Sequence, residues 1–375
     1  MLKKKLKCHN LDKILSIAPG RTCLFGDHQD YLGLPIIACG INRHITLKAI
    51  KNNKNYFFID KPDFGIKRKI AINKEIILRE KPDFLLSSLK VLRRYHCIPN
   101  CGYDVKITGT IPINAGISSS SAVIIAWIQF LLKAFGPQEL LLPENIAQIA
   151  FEAEVLEYQF PGGKMDQYSI ALGNIIYLET GEYFSFEVLN FTLDGLIIAE
   201  SGVKKDTIGL LKALKENSWK AIREVEKQVP NFNINEAKME NLKDYLVCLP
   251  DELKPFFKAT LGNFEVTKKA LIEFKKEVLD LGKIGVLMNQ HHNYLKDLLK
   301  ITVPKIDKMI DAASDAGALG SKIVGSGGGG SIVVLSDKKN EQQILDAILA
   351  AGAKDAYKVA VDRGANVHFV TKFLT

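Results

Sequence analysis

The sequence predicts an α/β protein of two domains, and three features of the chain support this. Its 375 residues exceed what a single hydrophobic core usually organises. The first half alternates segments rich in β-branched and aromatic residues with helical patterns, which is typical of a mixed α/β domain. From residue 196 an apolar strand leads into long amphipathic helices and a strand pair around a glycine cluster. We therefore expect a first domain over residues 1–195 and a second over residues 196–375.

The individual elements follow from local patterns. In the first domain we expect a strand before a Pro-Gly turn at residues 19–20 and further strands at 36–47, 56–59, 105–107, 175–178 and 184–188. Helical patterns cover 83–95, 120–135 and 143–158. The second domain should contain a strand at 196–199, helices at 207–228, 236–248, 252–259, 263–279, 283–297, 304–316 and 340–351, and a last strand at 367–370.

Composition and charge indicate an ordinary globular protein, with 47% hydrophobic and 25% charged residues. The net charge of +8 could suit nucleic acid, but the lysines do not gather into basic blocks with interleaved aromatics, so we expect no nucleic-acid partner. An anionic small substrate suits this charge equally well. The basic start lacks an apolar segment after it, and no run of about 18 uncharged apolar residues occurs. The sequence predicts a cytoplasmic monomer or homodimer without a membrane partner.

Four consecutive serines, Ser118, Ser119, Ser120 and Ser121, stand between a Pro/Gly turn and a long apolar run. Serine is unfavourable inside a helix but caps the N–H groups at its start, so the helix should begin within the serines. A helix N-terminus also concentrates unpaired N–H donors and the positive end of the helix dipole, which favours a phosphate. A capped core helix after a turn explains the same residues, and this stretch alone leaves both interpretations open.

A glycine cluster occupies SKIVGSGGGGSIVVL, residues 321–335, and contains the G-x-G-x-x-G pattern at Gly325, Gly327 and Gly330. A dinucleotide-binding turn passes from a strand to a helix, whereas residues 331–335 have the pattern of a strand. This argues against a nicotinamide cofactor. Four glycines in a row instead indicate a turn that another backbone or a ligand approaches too closely for a Cβ.

Two further stretches carry polar groups. IAPGRTCLFGDHQDYLG, residues 17–33, brings two carboxylates next to a histidine, a combination that can bind several hydroxyl groups, although a solvated loop could hold the same residues. In PGGKMDQY, residues 161–168, Asp166 follows a glycine pair and precedes an apolar segment with the pattern of a strand. By itself Asp166 would be interpreted as a turn residue.

Together these stretches resemble the three motifs of the GHMP kinases, the superfamily of galactokinase, homoserine kinase, mevalonate kinase and phosphomevalonate kinase. APGRTCLFGDHQDYLG is similar to the first motif, IPINAGISSSSA to the second and KIVGSGGGGS to the third, in order and at the usual separations. LEYQFPGGKMDQY is similar to a galactokinase segment that ends in G-x-M-D-Q, and IIAESGVKKDT to the start of that family's second domain. The resemblance implies a ribosomal-S5-domain-2-like N-terminal domain and a ferredoxin-like α/β C-terminal domain.

The resemblance also implies a set of functional residues. Asp166 would take a proton from the acceptor hydroxyl, and Arg21 would stabilise both Asp166 and the transferring phosphoryl group. Mg²⁺ would be held by Ser121 and Glu154, with Glu152 and Glu157 as rivals for the carboxylate. The residues implied to bind the sugar are Asp27, His28, Asp30, Tyr31, Gly163 and Lys164. Those implied to bind ATP are Pro112, Asn114, Ala115, Gly116, Ile117, Ser118, Ser119, Ser120, Ser121, Gly327, Gly328 and Gly329.

The first motif separates the substrates of the superfamily best. Galactokinase-like sugar kinases carry R-x-x-L-x-G-E-H-x-D-Y, which this chain matches with one Glu-to-Asp change at Asp27. The resemblance thus implies phosphorylation of a sugar hydroxyl, in particular the anomeric hydroxyl of galactose, a related sugar or a uronic acid. Lys164 stands where an apolar residue is usual and could meet a carboxylate or phosphate on the sugar.

Two alternatives remain open from the sequence. The third motif and MNQHHNYLKDLLKITVPKID, residues 288–307, resemble mevalonate kinase more than galactokinase, so mevalonate kinase is an alternative activity. A non-catalytic sugar sensor on the same fold should have lost part of the machinery, whereas Arg21, Ser121, Asp166 and the glycine cluster are all present. The sensor is therefore the less favoured hypothesis.

Overall fold

A computed structural model of the protein describes residues 12–112, 115–189, 191–204 and 207–373. Its strands form a sheet of eight and a sheet of four. In chain order the strands are β1 (Lys13–Phe25), β2 (Ile36–Lys51), β3 (Tyr56–Lys61), β4 (Ile66–Ala71), β5 (Tyr103–Gly109), β6 (Ile175–Glu179), β7 (Ser185–Leu189), β8 (Leu196–Glu200), β9 (Gly320–Ile323), β10 (Ser331–Leu335), β11 (Asp355–Val359) and β12 (Asn366–Phe369).

The first sheet has the order β12-β1-β2-β5-β3-β4, with β6 pairing with β2 and with β7, and the second has the order β11-β8-β10-β9. All pairs are antiparallel except β3 with β5. The second sheet begins at Leu196, where the second domain was expected to start. The last strand forms as expected but pairs with β1, so the end of the chain returns to the first sheet. The exact domain boundaries stay a prediction.

Helices cover the sheets. They are α1 (Phe84–Arg94), α2 (Ser119–Phe135), α3 (Pro143–Phe151), α4 (Met165–Leu172), α5 (Thr207–Gln228), α6 (Leu242–Val247), α7 (Lys254–Phe274), α8 (Leu281–Asn293), α9 (Pro304–Asp315) and α10 (Glu341–Ala350). The single helix α7 replaces the two expected at 252–259 and 263–279. Gly262 lies inside this continuous helix and leaves room for a neighbour, since a Cβ there would lie 2.5 Å from the Tyr294 ring.

The turn expected at residues 19–20 does not form. Strand β1 continues through Pro19 and Gly20, where its register against β2 shifts by a bulge. A Cβ on Gly20 would lie 3.1 Å from the carbonyl oxygen of Ile117, and the next residue, Arg21, donates its backbone N–H to that oxygen at 3.3 Å. The bulged strand therefore binds the loop before α2 and positions Arg21 beside it.

Three apolar clusters hold the molecule together. In the first, α2 packs on the larger sheet, with Trp127 5.2 Å from Phe57 between ring centroids. The second lies between the smaller sheet and helices α9 and α10. The third joins α5, α6 and α7 to Tyr31, Leu32 and Leu34 of the first motif, so this motif is anchored by the helices of the second half. None of the helices within the described ranges has the length and apolar composition of a membrane-spanning segment.

Candidate active site

A cavity of about 1260 Å³ lies where the three motifs meet. The motif residues on its wall are Arg21, Asp27, His28, Asp30, Tyr31, Ala115, Gly116, Ser118, Ser119, Ser120, Glu154, Gly162, Gly163, Asp166, Gly325 and Ser326. The fold thus assembles groups from both halves of the chain around one space. A concave site with converging polar groups is the usual form of a small-molecule site.

Asp166 lies in the first turn of α4, where the helix dipole favours a carboxylate, and not before a strand as the sequence pattern indicated. Its Oδ1 accepts a hydrogen bond from Nε of Arg21 at 2.8 Å and lies 2.7 Å from Nη2. Nη1 of Arg21 donates to the carbonyl oxygen of Gly116 at 2.6 Å. Burial alone would lower the pKa of Arg21, but the charge of Asp166 and their hydrogen bond raise it overall. The guanidinium thus stays charged beside the carboxylate.

Ser118 completes the surroundings of Asp166. It has a left-handed backbone, with φ of 59°, and its side chain makes no cap hydrogen bond to α2. Its hydroxyl instead donates to Oδ2 of Asp166 at 2.5 Å. The helix begins within the serines as expected, but this serine binds the aspartate and not the helix terminus. The Asp166 side chain keeps 31% of its surface exposed, so it remains accessible from the cavity.

Glu154 lies in a π-helical turn, Glu152–Leu156, which follows α3 and replaces the end of the helix expected at 143–158. It accepts hydrogen bonds from Ser120 at 3.1 Å and from Gln167 at 2.7 Å. Burial and the nearby charge of Asp166 raise the pKa of Glu154 to about 7, although hydrogen bonds from Gln167, Ser121 and Ser120 oppose the shift. Short π-helical turns frequently occur at functional sites.

The two rival glutamates lie elsewhere. Glu152 accepts hydrogen bonds from Tyr95 at 2.7 Å and from Gln148 at 3.1 Å. Glu157 forms ion pairs with Lys90 and Arg94. Of the three glutamates, Glu154 is therefore the one on the cavity wall.

The structure separates Ser120 from Ser121. Ser120 is exposed and lies on the cavity wall, whereas Ser121, predicted from the sequence to meet the metal, is 1% exposed and is not on the wall, although its hydroxyl is hydrogen-bonded to Glu154. A carboxylate and a hydroxyl suit Mg²⁺, which prefers oxygen ligands and commonly retains phosphate oxygens and water. The described residues contain no cluster of three or more His, Cys, Asp or Glu side chains that could hold a metal ion. A metal here would therefore depend on Glu154, the Ser120 hydroxyl and oxygens of the substrate.

Asp30 lies close to the start of α4, where its Oδ2 accepts a hydrogen bond from the backbone N–H of Met165 at 3.2 Å. Burial, together with the charge of Asp166, raises the pKa of Asp30 to about 6. A Cβ on Gly163 would lie 2.2 Å from the same Oδ2. Gly163, predicted to bind the substrate, thus also has a packing role, because it leaves the space that Asp30 occupies.

His28 and Tyr31 form a pair on the cavity wall. Nδ1 of His28 lies 2.9 Å from the Tyr31 hydroxyl, and the His28 backbone is left-handed, with φ of 65°. Trp219 donates its indole N–H to the carbonyl oxygen of Tyr31 at 3.3 Å. The helices of the second half thereby hold Tyr31, and Tyr31 orients His28.

Asp27 lies on the cavity wall but is already engaged. Its Oδ1 accepts the backbone N–H of Gly325 at 2.9 Å, and its Oδ2 lies 2.5 Å from Nζ of Lys322. Burial alone would raise the pKa of Asp27, but the charge of Lys322 lowers it to about 2. Sequence reasoning missed Lys322, and its only signal is a lysine in the apolar strand before the glycine cluster.

Lys164, implied by the resemblance to bind the sugar, lies beside two aromatic rings. Its Nζ lies 4.3 Å from the ring centroid of Phe184 and 5.5 Å from that of Phe151, an arrangement that permits cation–π attraction. Lys164 is not among the residues on the cavity wall. Its ammonium group thus lies against the two rings in this structure, and burial lowers its pKa.

The ATP residues expected in the glycine cluster are also placed differently. Gly325 and Ser326 form the cavity wall. Gly328 donates its N–H to the carbonyl oxygen of Ile301 at 2.7 Å. A Cβ on Gly329 would lie 2.8 Å from the carbonyl oxygen of Val203.

Gly327 has the same kind of packing role as Gly329, since a Cβ there would lie 2.5 Å from Cβ of Ile301. Pro112 and Ile117 are likewise absent from the cavity wall, and Asn114 falls outside the described residues.

Sequence reasoning missed one whole side of the cavity, which comes from β3, β4 and the segment up to α1. Its residues are Ile59, Lys61, Phe64, Ile66, Arg68, Ile77, Leu78, Arg79, Lys81, Pro82, Asp83, Phe84, Leu85 and Leu86. Arg68 is held by two hydrogen bonds to Asp83, of 2.6 and 2.8 Å. This side combines apolar surface, which suits a flat ring, with basic groups, which suit a negative charge on the same ligand.

Three family models match the chain. The GHMP kinases N terminal domain matches residues 83–174, the GHMP kinases C terminal model matches residues 268–354, and the galactokinase galactose-binding signature matches residues 7–50. The chain belongs to the GHMP kinases, a family of ATP-dependent phosphotransferases. The sequence-based prediction of this family is thus confirmed.

Curated relatives include two activities. The mevalonate kinase of Thermococcus gammatolerans is 25% identical over 349 residues, which cover 91% of this chain and 94% of that protein. The galactokinase of Clostridium acetobutylicum is 26% identical over 328 residues, which cover 83% of this chain and 82% of that protein. The family is therefore clear, while its members with these two substrates are about equally similar to this chain.

Solved structures share the fold. Lactococcus lactis galactokinase, complexed with galactose, superposes with a TM-score of 0.82 at 19% identity and 95% coverage of both chains. Methanococcus jannaschii mevalonate kinase gives a TM-score of 0.67 at 20% identity, with 93% of this chain and 98% of that chain covered. These likenesses confirm the predicted two-domain α/β fold.

Proposed function

We propose that this protein is a sugar kinase, which transfers the γ-phosphoryl group of ATP to a hydroxyl of a neutral sugar, the anomeric hydroxyl of galactose or a closely related sugar. The observation that carries this proposal is the charge at the acceptor end of the cavity. Asp30 and Asp166, which lie close enough for the charge of Asp166 to raise the pKa of Asp30, line the cavity together with His28 and Tyr31. Carboxylates accept hydrogen bonds from hydroxyl groups.

The cations near this end of the cavity already have partners, which favours an acceptor without charge. Arg21 is bound to Asp166 and Gly116, Lys322 to Asp27, and Lys164 lies between two aromatic rings. Lys204 reaches the cavity from an exposed position. An acceptor with a carboxylate, such as mevalonate or a uronic acid, would place its charge near Asp30 and Asp166 without a buried free cation among the described residues to offset it.

The chemistry follows from the contacts of Asp166. As general base it takes the proton of the acceptor hydroxyl, while Ser118 and Arg21 fix its orientation. Arg21 also lies where it can offset the charge of the transferring phosphoryl group. The loop before α2 and the start of that helix receive the phosphates, and the apolar and basic side formed by β3, β4 and the segment before α1 receives the rest of the nucleotide.

Glu154 and Ser120 are the residues that would hold Mg²⁺, which would reduce the repulsion between phosphate oxygens when bound. Positioning of the two substrates and charge stabilisation then supply most of the rate, as is usual for phosphoryl transfer.

Mevalonate kinase is the second candidate. The mevalonate kinase of Thermococcus gammatolerans matches 91% of this chain at 25% identity, whereas the galactokinase of Clostridium acetobutylicum matches 83%. The acidic acceptor end argues against this candidate, because mevalonate carries a carboxylate.

A coupled assay of ATP consumption tests the proposal with galactose, galacturonate, arabinose, fucose, heptose phosphates and mevalonate. We expect turnover with galactose or another neutral sugar. The Asp166→Asn variant, purified in parallel, excludes a contaminating kinase. The assignment would be overturned if mevalonate is phosphorylated and none of the sugars is.

A further inference from the structure

Lys322 is a fully buried lysine that joins the two sheets. It lies on β9 of the smaller sheet, and its Nζ is 2.5 Å from Oδ2 of Asp27, just after β1 of the larger sheet. The same Nζ donates a hydrogen bond to the carbonyl oxygen of Cys23 at 3.0 Å. An ammonium group in this position must be paired, since an isolated buried charge is very costly.

The other oxygen of Asp27 extends this connection to the cavity wall. Oδ1 accepts the N–H of Gly325 at 2.9 Å, and Gly325 lies on the wall with Ser326. Further along, Ser331 donates its hydroxyl to the carbonyl oxygen of Ala115 at 2.5 Å, which ties the same loop to the one before α2. The Asp27 carboxylate therefore holds both Lys322 in β9 and Gly325 in the loop that follows this strand.

Asp27 is the negatively charged partner of Lys322, and the nearby groups on α8 are two histidines. His291 and His292 face it from α8, where the His291 ring stacks on Phe25 with centroids 6.2 Å apart. Burial and the charge of Lys322 lower the pKa of His291 to about 3 and that of His292 to about 4, so both are neutral at pH 7.

We propose that Lys322 is a positioning residue, which holds Asp27 on the Gly325 amide and thereby fixes the wall of Gly325 and Ser326 against the nucleotide. Asp27 serves this contact and is not a ligand of the acceptor. The inference rests on the proposed function only in taking ATP as the ligand. Replacing a buried ion pair by apolar residues often does not reduce stability. The test therefore measures whether the Lys322–Asp27 pair fixes the position of Gly325, and not only whether it stabilises the fold.

The test is a double-mutant cycle of Lys322→Met, Asp27→Asn and the variant with both changes. Calorimetry without sugar measures the Kd of ATP, the coupled assay measures kcat and acceptor KM, and hydrogen exchange follows the peptide containing Gly325. We expect each single change to weaken ATP binding about ten-fold and to increase exchange at Gly325, with the double variant no worse than the single ones. Acceptor KM should change less than about three-fold.

Lys358→Met is the matched control, because Lys358 lies on β11 of the same sheet with half of its side chain exposed and pairs with Glu341 of α10, and its loss should leave the Kd of ATP unchanged. If Lys322→Met does not fold, the double variant decides, since it leaves no unpaired buried charge. A rise in acceptor KM alone in Asp27→Asn, or unchanged exchange at Gly325 in all variants, overturns the inference. If the wild type binds ATP but phosphorylates no sugar, the proposed function fails while ATP affinity and exchange still decide the role of Lys322.

Discussion

Arg21 and Asp166 form a two-point contact, with Nε and Nη2 of the arginine at 2.8 and 2.7 Å from one carboxylate oxygen. The second oxygen accepts the hydroxyl of Ser118 at 2.5 Å. This arrangement holds the carboxylate in one orientation, which a general base requires before the acceptor binds.

Asp166→Asn is expected to lower kcat by about 10²-fold or more, because the amide keeps the shape of the side chain but cannot take a proton. The Kd of ATP should change less than about three-fold, since the phosphate-binding loop is intact. Steady-state assays and calorimetry measure the two quantities. Losses of equal size in ATP binding and in turnover would instead indicate a structural aspartate.

Asp30→Ala is expected to raise acceptor KM by about ten- to a hundred-fold or more, since each charge-assisted hydrogen bond contributes ~1.5–3 kcal/mol. ATP affinity should change little. Gly163→Ala is a matched variant, because its Cβ would meet the Asp30 carboxylate and should displace it. A lowered melting temperature with unchanged acceptor KM would argue against a sugar-binding Asp30.

Sugar binding should depend on pH through Asp30, whose pKa burial and the Asp166 charge raise to about 6. Ionisation strengthens its bonds to hydroxyls, so acceptor kcat/KM should rise as pH increases through about 6. Because the folded pKa lies above the ordinary value, the contribution of Asp30 to stability is present below about pH 4 and is lost as pH rises through about 6. In Asp30→Asn both effects should disappear from pH profiles of activity and melting temperature, and profiles identical to wild type would contradict this assignment.

Ser120→Ala and Ser121→Ala should behave differently. Ser120 is exposed to the cavity, so its loss is expected to raise the Mg²⁺ concentration needed for half-maximal activity by about ten-fold. Ser121 is buried, so its loss should lower the melting temperature more than it changes the response to Mg²⁺. Titrations of Mg²⁺ and thermal melts of the two variants compare these effects. The reverse pattern would restore the metal ligand predicted from the sequence.

Lys164→Met should leave acceptor KM within about three-fold of wild type, because the ammonium group lies against Phe184 and Phe151 and not on the cavity wall. Loss of the cation–π contacts is expected to cost about 0.5–2 kcal/mol of stability at most, measured by denaturant unfolding. A selective rise in the KM of an anionic sugar would show that Lys164 reaches the acceptor.

Local patterns in the chain predicted much of the fold. The apolar run after the serines predicted a helix at residues 120–135, and α2 covers Ser119–Phe135. The glycine cluster between two strands, and the three motifs in order, predicted the family that the comparisons confirm. Such features are readable because helix starts, strand periodicity and turn residues depend on neighbours a few positions apart.

Only the tertiary structure decided which polar groups face the cavity. Lys322 lies in the smaller sheet and Asp27 just after β1 of the larger sheet, and their pairing follows from how the two sheets pack. Whether Ser120 or Ser121 faces the cavity depends on the rotation of α2. Lys164 lies beside two aromatic rings that are distant from it and from each other in the sequence. Charged side chains take the partners that burial makes available, and burial is set by segments far apart in the chain. The sequence by itself determined most of the elements, the motifs and the family, while packing of the two halves determined the partners of each charge in the site.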